Sequence, residues 1–255
     1  MAKDPSAQPV QKVILFFRSL LFSTGMVAST LLWSLPVVMS YPFPYRYRYR
    51  LARQWVCFNL WWLQLTCGIR CEVQGKENIP PGPAVILAKH QSTWETLMLT
   101  RLFPPQVWVM KRELLRIPLF GWALAVLKPI AIDRQASRTA IKQVLRQGTE
   151  HLQQGRWVVI FPEGTRIAPG VRRRYGPGGA MLAAHSGYPI VPVAHNAGEH
   201  WPRRGFIKRP GTIRLVVGPL INSENRTAHQ LIALTEEWIE ATMDHISTRR
   251  QATTR

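Results

Sequence analysis

Two short polar strings in this chain combine residue types that do acid–base and anion chemistry. The first is Lys89-His90-Gln91-Ser92-Thr93-Trp94-Glu95, an imidazole followed by a carboxylate; the second is Phe161-Pro162-Glu163-Gly164-Thr165-Arg166. A tight turn after His90 lets Glu95 fold back onto one imidazole nitrogen, fixing the tautomer and stabilising the imidazolium. The other nitrogen is then left to take a proton from a substrate hydroxyl. That is a base with its orienter and no protein nucleophile, since Ser92 lacks the G-x-S-x-G surroundings of a nucleophile elbow. In the second string Gly164 opens a backbone conformation closed to other residues, and Arg166 brings a planar fork suited to phosphate. Each string alone also has a plainer reading: a surface His–Glu pair at a helix start, and a polar turn held by a Glu–Arg pair.

The elements before the strings must position them. His90 follows the apolar run Ala84-Val85-Ile86-Leu87-Ala88, and Glu163 follows another at 157–161. Both strings therefore fall at strand ends, where α/β sheets place their sites. Beyond Gly68, β-rich runs at 69–73, 84–88, 107–110, 129–132, 157–161, 190–194 and 212–217 read as strands. Helical periodicity occupies 94–101, 113–127, 137–153 and 179–185, and a last helix starts near Thr227, where Gln230 completes a capping box. The alternation is that of an α/β domain, and 255 residues suffice for one such core plus an appendage.

The appendage is N-terminal. No charged residue lies between Arg18 and Arg46, and 20–39 is rich in Leu, Val, Phe and Met. This stretch is long enough to cross a bilayer as a helix, while Pro36, Pro42, Pro44 and its Ser, Thr and Gly content leave a one-leaflet anchor open. It is too long for a signal-peptide core and ends in no small-x-small site, so cleavage is not expected. Tyr45-Arg46-Tyr47-Arg48-Tyr49-Arg50 with Arg53 suits either a lipid headgroup layer or stacking on single-stranded RNA; its place after an apolar segment favours lipid. Trp55, Trp61 and Trp62 mark 55–67 as an interfacial helix rather than a core one. The expected division is a membrane-associated helical segment at 10–67 and a catalytic domain at 68–247, with solvated tails at 1–9 and 248–255.

The 33 Lys and Arg against 14 Asp and Glu leave a formal charge of +19, which calls for a polyanionic neighbour: nucleic acid, anionic lipid or phosphorylated substrate. Three cysteines, Cys57, Cys67 and Cys71, support neither a disulfide framework nor a Cys-based metal site and fit a reduced, cytosol-facing domain. His195, Glu199 and His200 lack the H-E-x-x-H logic of a zinc helix. Arg203, Arg204, Lys208 and Arg209 form a basic loop suited to membrane docking or to solubility.

Four blocks in fixed order resemble the glycerolipid acyltransferase family. The H-x-x-x-x-D block is matched by His90 to Glu95 with Glu in place of Asp. The second block resembles Lys111-Arg112-Glu113-Leu114-Leu115-Arg116-Ile117-Pro118-Leu119-Phe120-Gly121 running on to Ile132-Asp133-Arg134. Phe161 to Arg166 matches the third in full, and Pro189-Ile190-Val191-Pro192-Val193 resembles the fourth. The resemblance implies a mixed sheet flanked by helices, with an N-terminal helical pair gripping the membrane at 13–39 and 47–67.

It also implies transfer of an acyl group from acyl-CoA or acyl-carrier protein to the 2-hydroxyl of lysophosphatidic acid, giving phosphatidic acid. His90 is then the general base and Glu95 its orienter, attack on the thioester is direct, and no metal or resident cofactor is expected. Glu163, Gly164, Thr165 and Arg166, with Lys111 and Arg112, are implied to hold the acceptor phosphate. Val191, Pro192 and Val193 are implied to meet the acyl donor, with backbone N–H groups near the developing oxyanion. The partners are membrane lipids and these substrates, with no nucleic acid, and the catalytic domain faces the cytoplasm, at the inner membrane in a bacterium. The alternatives are another lysolipid acceptor, such as a lyso-ornithine lipid, or a non-catalytic lipid- or RNA-binding protein. After the third block the family often places a Lys before a Gly-Ala pair, where this chain reads Arg172-Arg173-Arg174-Tyr175-Gly176-Pro177-Gly178-Gly179-Ala180.

Overall fold

The computed structural model describes residues 7–133 and 136–248, so Arg134 and most of both expected tails lie outside the described residues. Two long helices, α1 (Ala7–Met39) and α2 (Tyr45–Cys67), precede β1 (Ile69–Gln74), β2 (Val85–Ala88), α3 (Trp94–Leu102) and β3 (Gln106–Lys111). Then come α4 (Phe120–Val126), β4 (Ile130–Ile132), α5 (Ser137–Gln153), β5 (Trp157–Ile160) and α6 (Gly178–Ser186). The chain closes with β6 (Ile190–His195), α7 (Ala197–His200), β7 (Gly211–Val217) and α8 (Ala228–Ile246). Residues 7–9, expected in a tail, form the first turn of α1.

The strands make one mixed sheet in the order β1-β7-β6-β2-β5-β3-β4, with every neighbouring pair parallel except β6 and β7. Side chains alternate along each strand, so a strand covered by helices on both faces is apolar throughout. Ile86, Ala88, Trp157 and Val159 pack on one face with Val56, Leu60 and Leu63 of α2 and Leu97 of α3. Val85, Leu87, Val158 and Ile160 pack on the other with Val144 of α5, Leu182 of α6 and Leu231 of α8. Continued past Ala88, this alternation sends Lys89 toward the α8 face and His90 toward the α2–α3 face. Because β2 and β5 are parallel neighbours with Leu87 opposite Ile160, both polar strings leave the same sheet edge side by side.

Each expected strand forms within a residue of its expected ends. The helix expected over 113–127 does not form as one piece. A 3₁₀ turn over Arg112–Arg116 is followed by Pro118 and by Leu119 at φ 61°, and only then by α4. Proline lacks the N–H that a continuing helix needs. The capping box at Thr227 and Gln230 is present.

α1 and α2 pack antiparallel. Asn59, fully buried, donates to Ser29 Oγ at 3.1 Å and to Trp55 O at 2.9 Å, while Trp33 stacks on Phe58 at 5.6 Å. At Gly25 the helices approach so closely that a Cβ would lie 2.1 Å from Trp62 Nε1. Gly25→Leu should therefore force α1 off α2 and destabilise the protein by about 1–3 kcal/mol, the usual cost of overpacking. Thermal melting in detergent measures it; an unchanged melting temperature would contradict the close packing.

Candidate active site

The loop between β2 and α3 is shaped around one carboxylate. Glu95 lies in the first turn of α3 and is fully buried. Its Oε1 accepts the N–H groups of Gln91 at 3.0 Å and Ser92 at 2.8 Å, its Oε2 accepts Ser92 N–H at 3.0 Å, and His90 Nδ1 lies 2.8 Å from Oε1. Burial alone would raise this carboxyl. The facing imidazoles of His195 and His90 and the Ser92 N–H outweigh that and hold it below its ordinary range. An ionised carboxylate there fixes the proton on His90 Nδ1 and leaves Nε2 as the nitrogen able to accept one. Ser92 is fully buried with its Oγ accepting Trp94 N–H, which gives it a structural place and no nucleophilic one.

His90 lies flat on Phe161, ring centroids 3.9 Å apart and planes 9° apart, and Phe161 stacks on Trp108. The imidazole side chain is 12% exposed and borders a cavity of about 720 Å³. Met26, Trp33 and Val37 of α1, Tyr49 and Trp55 of α2, Leu97 of α3 and Leu124 of α4 line its apolar body. The same lining that includes His90 also carries the cations Lys111, Arg166, Arg203 and Arg204, together with Thr165. Arg203 donates to the carbonyl of Arg166, which couples two of these arginines. The arrangement is a largely apolar chamber that carries an imidazole and several cationic side chains in its wall. It suits a long hydrocarbon chain attached to an anionic headgroup.

An acyltransferase family model matches residues 70–196. A 1-acyl-sn-glycerol-3-phosphate acyltransferase of Pseudomonas aeruginosa is 48% identical over 240 residues, covering 92% of this chain and 93% of that protein. The chain belongs to the acyltransferase family. A Saccharomyces cerevisiae protein of the same name is 31% identical over 186 residues, 70% of this chain and 61% of that protein. The crystal structure of the 1-acyl-sn-glycerophosphate acyltransferase PlsC from Thermotoga maritima shares the fold at TM-score 0.78 with 21% identity, covering 94% of this chain and 99% of that one.

Within this acyltransferase the blocks meet at one sheet edge, but not every block residue faces the cavity. Glu163 does not line the cavity. It is buried beneath the loop, with Oε1 2.6 Å from Lys89 Nζ and Oε2 accepting the His90 backbone N–H at 2.7 Å. A carboxylate so placed holds the His90 peptide. Gly164, at φ 70°, makes the turn that carries Thr165 and Arg166 to the wall. Arg112 pairs with Asp133 at 2.8 Å on the surface and does not reach the cavity wall, whereas Lys111 does. Val191, Pro192 and Val193 are buried in the ladder opposite Ile86, Leu87 and Ala88 and do not line the cavity. The fourth block holds β2, and Val193 O accepts Lys89 N–H at 3.0 Å.

Sequence reasoning gave other roles to His195, to Arg203 and Arg204, and to the helical pair. His195, fully buried at the end of β6, donates Nε2–H to the Lys89 carbonyl at 2.8 Å and accepts Ala197 N–H at Nδ1. Burial holds this imidazole below its ordinary range. Arg203 and Arg204, read as a docking or solubility loop, border the cavity instead. The helical pair, read as an anchor, also forms the chamber wall. The signal available for His195 was its spacing: it ends an apolar strand that pairs with the His90 strand.

One buried ammonium, Lys89, faces two buried carboxylates, Glu163 and Glu240. Burial pushes Glu163 up to about 7, and the pull of Lys89 only partly offsets it. The folded chain thus holds this proton more tightly than the unfolded one. The associated stability is full below the ordinary carboxylate range and is lost as pH rises toward 7. Glu163→Gln removes that titration, so its melting temperature relative to the parent should climb between pH 5 and pH 7 as this linkage requires. Parallel pH dependences would contradict the placement.

Proposed function

We propose that this protein transfers a fatty acyl group from an acyl thioester, acyl-CoA or acyl-carrier protein, to the 2-hydroxyl of 1-acyl-sn-glycerol 3-phosphate, making phosphatidic acid. The observation that carries the reading is the His90–Glu95 pair at a chamber whose lining is mostly apolar and also holds Lys111, Arg166, Arg203 and Arg204. The names of the Pseudomonas and yeast relatives support the same acceptor.

In this mechanism the acceptor hydroxyl lies against His90 Nε2. As the oxygen attacks the thioester carbonyl, Nε2 takes its proton, and Glu95 stabilises the imidazolium through Nδ1–H. Collapse of the tetrahedral species expels the thiolate, which takes the proton back from Nε2. No acyl-enzyme forms, and the reaction calls on no resident cofactor. The acceptor phosphate meets the guanidinium groups of Arg166 and its neighbours by charge-assisted hydrogen bonds.

The protein lies on the cytoplasmic membrane leaflet in this reading, with α1 and α2 as its seat. Leu32 is 70% and Met39 68% exposed, and Phe17, Leu21 and Leu35 are also exposed. α1 is long and apolar enough to span. Yet it touches the catalytic domain at two well-separated places: Ser19 Oγ accepts Lys208 N–H at 2.8 Å, and Val37 packs on Ala123 and Val126 of α4. A crossing helix would separate those contacts by about 27 Å of bilayer at 1.5 Å per residue, so α1 lies along one face. Of the Tyr-Arg string, Tyr45 and Tyr49 turn inward to the carbonyls of Gln106 and Thr100, while Arg46 and Arg50 remain exposed for anionic headgroups.

Purified protein in detergent, given 1-acylglycerol 3-phosphate and either thioester, should release thiol. His90→Ala should lower kcat by about 10²–10⁴-fold, the range of a positioned base. Arg166→Gln should mainly raise KM for the acceptor, by roughly 10–100-fold for a lost charge-assisted bond. Full turnover by His90→Ala would overturn the mechanism.

A further inference from the structure

We propose that Lys89 and Glu240 are positioning residues for His90, so that the C-terminal helix α8 sets the place of the base without touching the cavity. The inference rests on the reading of His90 as the base. Lys89 Nζ lies 2.6 Å from Glu163 Oε1 and 2.7 Å from Glu240 Oε1, and Glu163 Oε2 accepts the His90 N–H at 2.7 Å. Three ionisable side chains thus connect α8 to the backbone of His90 without a gap. Lys89 is 1% exposed and Glu240 6%.

The far end of this connection is itself braced. Tyr175 donates its hydroxyl to Glu240 Oε1 at 2.8 Å, and Arg172 Nε lies 3.6 Å from Glu240 Oε2 while its Nη2 reaches Asp244 at 2.7 Å. Tyr175 and Arg172 belong to the string in which this chain departs from the family pattern. Arg173 and Arg174, beside them, are exposed. The departure therefore supplies a lock on α8, and its remaining charges face solvent.

Burying ions is costly, and a well-packed apolar group often serves stability as well or better. Lys89 occupies a position on the α8 face of the sheet that an aliphatic side chain could fill. What an aliphatic side chain could not do is hold Glu163 under the His90 N–H. The other groups around the peptide agree in purpose: His195 holds the Lys89 carbonyl at 2.8 Å, and Ile167 N–H holds the His90 carbonyl at 2.7 Å. Reaction rates are sensitive to displacements of about 1 Å at such a position.

The test uses the full chain in detergent, comparing Glu240→Gln, Tyr175→Phe, Lys89→Met and the double variant Lys89→Met/Glu240→Gln with His90→Ala. Glu240→Gln keeps shape and hydrogen bonding but loses the charge. It should remain folded and lower kcat about tenfold with KM for 1-acylglycerol 3-phosphate nearly unchanged, since a displaced base affects the transition state and not acceptor binding. Tyr175→Phe leaves the ion pair intact and should cost less than Glu240→Gln. The double variant should be no slower than Lys89→Met, because the two residues act as one unit. If Lys89→Met does not fold, Glu240→Gln and Tyr175→Phe decide the matter. A folded Glu240→Gln with parental kcat, or with only KM changed, overturns the inference while an inactive His90→Ala leaves the base reading standing. An active His90→Ala overturns both.

Discussion

The Glu95 carboxylate is the constraint on which the site depends. A charge taken fully out of water is retained only where donors surround it, and removing one partner of a buried ionic group commonly costs about 3–5 kcal/mol. Here the donors are the N–H groups of Gln91 and Ser92 and the imidazole of His90, all within 3.0 Å. Satisfying the carboxylate therefore shapes the loop, and the loop in turn points the imidazole. His195, 3.9 Å from Glu95 Oε2, closes the remaining side.

The rest of the fold delivers that loop to an apolar chamber. Parallel pairing of β2 with β5 brings His90 over Phe161, and β6 fixes the height of β2 through Lys89 N–H. The helical pair contributes both the exposed apolar face and part of the chamber wall, so in the proposed reaction the surface that meets lipid and the cavity that takes an acyl chain share these two helices. In the proposed reaction a substrate whose chain resides in the bilayer would then reach His90 without its hydrocarbon crossing water.

Much of this was legible in the sequence, for reasons that also mark where legibility ended. Strands covered on both faces read as continuous apolar runs, which is why Val85–Ala88 and Trp157–Ile160 stood out and the two polar strings could be placed at their ends. Helix 113–127 misled because its apolar periodicity continues across Pro118, and the break at Leu119 is a backbone conformation that periodicity does not record. The direction of a side chain leaving a strand end depends on the alternation and on partners far away in sequence. Glu163 and Val191 to Val193 carried family motifs but face the interior. Arg203 and Arg204 carried no motif and face the cavity. Lys89 and Glu240 meet across 151 positions, a pairing that no local pattern announces.

The central claim is that Glu95 holds the proton on His90 Nδ1 and leaves Nε2 open toward the cavity. Nitrogen-15 NMR of histidine-labelled protein in detergent micelles reads that tautomer directly for the neutral ring. The account predicts a His90 Nδ1–H resonance shifted downfield by its carboxylate partner, with Nε2 unprotonated, and loss of that resonance in Glu95→Ala. A neutral His90 ring protonated at Nε2 in the parent protein would contradict it.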